Sequence, residues 1–156
     1  MPTPIAKQLS EQEFFSGLPS EFIDFLAEHA TERRIGRDEI LFRHGDPAST
    51  FYLVRSGSIS LEVPAISGPT LEVQQLGADN ILGWSWLIAP YQWSFNALVQ
   101  EDATLLEFDG KAILRRCESD PRFGYELLKR FSELMSERLD AARRSMMDAW
   151  NPPGFA

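Results

Sequence analysis

The spacing of apolar positions changes twice along the chain. Near the start, Ser10 precedes Glu13 by three residues and stands ahead of Phe14-Phe15, a capping-box signature for a short helix. Gly17-Leu18-Pro19 breaks that helix. Ser20 is placed to cap a second one, with Phe22, Ile23, Phe25, Leu26 and Ala30 as its apolar stripe. Residues 10–30 are therefore expected to form two small helices.

From residue 32 to 109 the pattern is that of strands. Ile40-Leu41-Phe42, Phe51–Val54, Ile59–Val63, Leu71–Leu76, Ala97–Val99 and Ala103–Phe108 are short, β-rich runs. Gly45-Asp46-Pro47, Ser56-Gly57, Ser67-Gly68-Pro69, Gly77–Asn80 and Asp109-Gly110 punctuate them as turn signals. Ile59, Leu61 and Val63 alternate with Ser60 and Glu62, as a strand with one buried face should. Short strands at even spacing predict a roll or barrel, and no βαβ alternation points to a parallel nucleotide-binding sheet.

Helical spacing returns over 111–149. Lys111–Glu118 reads as a short helix. Asp120-Pro121 restarts with a capping acid and a proline at the first helical position. A long helix can then run to about Ala149, where Asn151-Pro152-Pro153-Gly154 stops it. Leu128, Met135, Ala142 and Ala149 recur every seven residues, and Ser132, Leu139 and Met146 complete a coiled-coil-like seam with one polar position. Either this face packs on the chain's own roll or it forms a homodimer seam. The second is favoured, because nothing after the helix can fold against it.

Composition narrows the class. The chain has 156 residues, 44% of them hydrophobic, enough for one core spanning residues 1–156 as a single domain. The formal net charge is -8, which argues against a general nucleic-acid binder. The single cysteine, Cys117, excludes an intrachain disulfide. No secretory signal or apolar run of membrane-spanning length is visible, so a cytoplasmic protein without membrane association is expected. Charge is uneven: residues 56–110 carry seven acidic groups and no Arg, Lys or His.

The order of these elements resembles the cyclic-nucleotide-binding domain of the catabolite-activator/Fnr superfamily. Phe15–Leu18, Ile40–Asp46, Phe51–Ile59 and the pairs Leu76-Gly77 and Leu82-Gly83 look like successive signatures of that family. Together they cover roughly residues 10–148. The resemblance implies a mainly β fold with flanking helices: a β-roll (double-stranded β-helix or jelly roll) of about eight strands, then a long C-terminal helix. Phe51–Ile59 would be its strand–Gly–strand hairpin.

It also implies a phosphate cassette. In the family, an aromatic–Gly–Glu turn opens a short helix whose free N–H groups face a phosphate. The Glu binds the ribose hydroxyl, and an Arg nine or ten residues later pairs with the phosphate. Here the segment reads Leu82-Gly83-Trp84-Ser85-Trp86-Leu87-Ile88-Ala89-Pro90-Tyr91-Gln92-Trp93-Ser94-Phe95. Gly83 is kept. Trp84 stands at the Glu position, and Trp93 or Ser94 at the Arg position. Losing one partner of a buried charged pair costs about 2–5 kcal/mol, or roughly 30- to 3,000-fold in affinity. A standard cAMP site is therefore not expected, unless Arg55 or a partner's long helix supplies the cation.

Gly83, Trp84, Ser85, Trp86, Tyr91, Gln92, Trp93 and Ser94 are the candidate ligand-binding residues. Their rings fill the emptied pocket as core, line a remodelled pocket for a flat or apolar ligand, or form a partner-binding surface. The leading expectation is a regulatory or sensory module. It would dimerise through Leu128, Ser132, Met135, Leu139, Ala142 and Met146 and act through an unknown protein partner. The alternative is a ligand-free dimeric scaffold. Family regulators place a helix-turn-helix after the long helix. No room for one remains before Ala156, so direct DNA binding is not expected. Catalysis is not expected either: His29 and His44 are the only histidines, no H-x-H exists, and no nucleophile has a plausible base. No metal or cofactor is expected beyond an unidentified small-molecule or nucleotide-like ligand.

Overall fold

In the computed structural model, which describes residues 3–63 and 70–149, four of the six apolar runs of the middle segment merge in pairs into two fourteen-residue strands. The helices before them are α1 (Pro4–Ser10) and α2 (Ser20–Glu28), joined by a 3₁₀ turn at Glu13–Phe15. The strands are β1 (Ala30–Ile35), β2 (Ile40–Phe42), β3 (Thr50–Val63), β4 (Leu71–Leu76), β5 (Ile81–Leu82) and β6 (Asn96–Asp109). Then come α3 (Gly110–Ser119) and α4 (Pro121–Ala149). The Ser67-Gly68-Pro69 turn and the Asn151–Gly154 stop lie outside the described residues, as does the side chain of Ala149.

The start of the chain differs from its capping signals. Thr3, not Ser10, caps the first helix, its Oγ1 accepting from the Ala6 N–H at 3.1 Å. Ser10 is the last residue of α1, and its hydroxyl donates to the Lys7 carbonyl. Ser20 lies inside α2, with Pro19 at the cap, and Ala30 opens β1 instead of closing the helix. Threonine before Pro4-Ile5 satisfies free N–H groups earlier in the chain, so helix begins seven residues sooner than the Ser10 signal suggests.

All strand pairings are antiparallel, in the order β1-β6-β3-β4, with β2 against β6 and β5 against β3. No hairpin forms at Gly57. β3 runs through it, and β6 runs alongside through Glu101 and Asp102, with register shifts around residues 54–59. Gly57 has φ +92°, and a Cβ there would lie 2.4 Å from the Asp102 carbonyl oxygen. Its missing side chain lets two bent strands stay in contact, so a turn signal becomes a bulge.

β3 and β6 form the boundary between two cores. Phe51, Leu53, Leu106 and Phe108 face the helices and pack with Phe15, Phe22, Leu26, Ile113, Phe123, Leu127 and Phe131. Tyr52, Val54, Leu105 and Ala103 face the interior of the roll. The unbroken apolar run Phe51–Val54 thus reflects burial on both faces. Ser60 is fully buried despite its place on the polar side of the alternation, and its hydroxyl donates to Glu72 Oε2 at 2.6 Å. That bond offsets the cost of desolvating it.

α4 buries Phe123, Leu127, Phe131, Leu134 and Arg138, with Phe123 against the α2 rings of Phe22 and Phe25 and Phe131 against Phe51, and Ser145 Oγ donates to the Val73 carbonyl. Among the described residues, no helix is long and apolar enough to cross a membrane. Cys117 is half-buried on α3; burial is the main cause that pushes its thiol up to about 11, leaving it protonated near neutrality.

Candidate functional site

The cassette leaves β5 at Gly83, which has φ +102°. A Cβ there would meet Trp93 Cζ3 at 2.7 Å, so glycine makes room for an indole. The short helix anticipated after Gly83 does not form. Trp84–Leu87 makes a single turn, the Leu87 N–H donating to the Trp84 carbonyl at 3.0 Å. Trp86 turns into the helix-side core, and Pro90 prevents the turn from continuing as a helix. The free helix N-terminus on which an anion site would rest is therefore lacking in this segment.

Trp93 occupies the interior of the roll. Its ring lies 3.7 Å from that of Phe42, nearly parallel at 6°, and 6.4 Å from Tyr52. Its backbone is held on both sides, N–H to the Asp46 carbonyl and carbonyl to the Gly45 N–H, both at 2.9 Å. Trp84 meets Phe95 edge to face at 5.6 Å. The space left at Gly83 is about 10 Å³, room for one water molecule at most. The rings fill this pocket as core.

The candidate residues divide. Gly83, Trp84, Ser85, Trp93 and Ser94 meet at the remaining void. Trp86 does not: it is 2% exposed in the other core, stacked on Phe51 at 5.0 Å and edge-on to Phe131 at 5.2 Å. Its Nε1 has no hydrogen-bond partner among the described residues. Tyr91 and Gln92 are exposed and face away, Gln92 bridging to Pro47.

The void has one wall that the cassette did not announce. Arg138 of the chain's own α4 reaches it, with 1% of its surface exposed. One guanidinium nitrogen donates to the Ile81 carbonyl at 2.7 Å and another to Glu137 Oε1 at 3.0 Å. Desolvation lowers its pKa from the ordinary guanidinium value, and Glu137 acts against that. Among the described residues, the basic group at this void is Arg138, 55 residues past Gly83, and not Arg55. The sequence did carry a signal: Arg138 falls on the inward stripe of Leu127, Phe131 and Leu134, where a charge is out of place. A wider open groove, about 460 Å³, lies outside the roll between the Glu13–Phe15 turn, Asp79–Ile81 and α4.

Most of the seam points away from the roll. Leu128, Leu139 and Met146 are exposed, as is Ser132, while Met135 and Ala142 are half-buried. They lie roughly a quarter-turn round the helix from its buried stripe.

The family model of the cyclic nucleotide-binding domain matches residues 32–120, and the chain belongs to that family. No curated protein matches it in sequence. A cyclic nucleotide-binding protein of Geobacter metallireducens has a similar structure, with TM-score 0.78 and 21% identity over 89% of this chain and 99% of that one. A cyclic nucleotide-binding domain from Methylobacillus flagellatus gives 0.77 and 16% over 97% and 85%. The catabolite activator protein of Thermus thermophilus gives 0.68 and 24% over 85% of this chain and 61% of that one. These likenesses show the β-roll fold with its long C-terminal helix.

Proposed function

We propose that this chain is a non-catalytic regulatory module of the cyclic nucleotide-binding family that works without a bound cyclic nucleotide. In this reading it pairs with a second copy through α4 and passes its state to a protein partner. The observation that carries this reading is Trp93 stacked on Phe42 over Gly83, with room for one water beside it. A phosphate there would have no cassette carboxylate or arginine, and Arg138 is already engaged by Ile81 and Glu137. The dimer is supported by the exposed seam positions Leu128, Ser132, Leu139 and Met146, whose heptad spacing is the pattern a second such helix covers.

Calorimetry and thermal melts with cAMP and cGMP test the reading. A ligand at 100 times its Kd stabilises by about 2.7 kcal/mol, which raises Tm by about 5–10 °C in a chain of this size. No heat and a shift below 1 °C (roughly, on the same scale) are expected at millimolar nucleotide. Micromolar binding of either nucleotide would overturn the nucleotide-free reading. A monomer by sedimentation at roughly 100 µM, a concentration at which even weak specific pairs associate, would overturn the dimer.

A further inference from the structure

The filled pocket and α4 share a residue. Arg138 closes the wall around the void next to Trp93, and it bonds to Ile81, two residues before Gly83. The next residue on the helix, Leu139, is 61% exposed on the seam. The ring that fills the pocket and the face α4 presents are thus separated by one side chain. Trp93 lies flat against Phe42, over a glycine that has yielded its Cβ space to it, as a planar guest would. It sits on a loop, not on a strand, and is tied in place by the Gly45 and Asp46 backbone bonds.

We infer that Trp93 is a built-in ligand of this pocket and that Arg138 relays its occupancy to α4. With the ring in place, β5 is held where the Ile81 carbonyl meets Arg138, and the helix is docked with its seam outward. With the ring gone, β5 relaxes into the vacated space, the buried guanidinium loses its acceptor, and α4 loosens beyond residue 134. A buried arginine is costly unless it is hydrogen-bonded, so the two events are coupled. By linkage, loosening α4 must also weaken the seating of the ring. This inference rests on the nucleotide-free reading of the same pocket.

Hydrogen exchange of the α4 amides in Trp93→Ala tests it, with free indole as the probe. Empty apolar cavities of this kind take up ring-shaped guests. Exchange over residues 134–146 should rise by about tenfold or more, the equivalent of one lost charged hydrogen bond. Indole should reverse it, but not in the double variant with Arg138→Met. An indole-induced rise in Tm with α4 exchange at the wild-type rate would show the ring to be core only, and would overturn the relay. Should Trp93→Ala not fold, Arg138→Met decides alone. Faster α4 exchange together with a loosened Trp93 ring, seen by NMR as weaker contacts to Phe42, supports the relay; faster exchange with the ring seated as in the wild type, or unchanged exchange, overturns it. Nucleotide binding to the wild type is measured separately, so failure of the relay and failure of the nucleotide-free reading are read from different experiments.

Discussion

Trp86 and Trp93 share one loop, yet they end in different cores. Trp93 enters the roll, where Phe42 offers a parallel face and Gly83 offers space. Trp86 goes to the helix side, where Phe51 and Phe131 enclose it, and its indole N–H finds no acceptor among the described residues. A buried donor without a partner costs about 1–3 kcal/mol. Trp86→Phe removes that donor and keeps a ring that can stack on Phe51, at the cost of some packed area. These two effects nearly cancel, so a change in unfolding free energy within about 1 kcal/mol is expected from urea melts at unchanged m-value. The aromatic cluster at 84–93 was visible in the sequence. Its division was not, because residue type specifies burial and not the side of a sheet to which an irregular loop delivers each ring.

Among the elements, α4 was the most legible, since its acidic cap, first-turn proline and heptad spacing are local features. The seam's exposure makes its test clean. Leu139 is 61% exposed, so Leu139→Glu should leave the unfolding free energy of the separate chain within about 0.5 kcal/mol. The same change should weaken the proposed dimer by about 30-fold or more, since it buries unpaired charges at the centre of the seam. Sedimentation equilibrium reads the second effect and urea melts at low concentration read the first; an unchanged dimer constant would remove the seam from the interface. The cassette was the least legible element. A family pattern implied a helix after Gly83, whereas Trp86 and Pro90 limit the segment to one turn. A core that draws in a large ring overrides a short helix that only a few hydrogen bonds would hold.

At the scale of the molecule, two cores lean on one pair of long strands, and Gly57 is where both strands bend together. A Cβ at this position would press on backbone, not on a flexible side chain. Positive φ for a non-glycine residue costs about 1–3 kcal/mol, and overpacking adds about as much again. Gly57→Ala should therefore destabilise the fold by about 2–6 kcal/mol in urea melts and lower the protection of both cores together. A loss under 1 kcal/mol, or one confined to the roll, would show that the strands move independently. The sequence by itself determined the β-roll with its flanking helices, the long amphipathic α4 and the absence of a charged cassette. A roll or barrel with flanking helices and the long α4 follow from periodicity and capping chemistry, which are properties of neighbours in the chain; the particular roll and the position of the cassette were implied by the resemblance to the family. Only the tertiary structure decided that the pocket is filled, that Trp93 and not Trp86 fills it, and that Arg138 stands at its wall. These depend on contacts between positions 10 to 57 residues apart, and packing and hydrogen-bond satisfaction in the closed core choose among them.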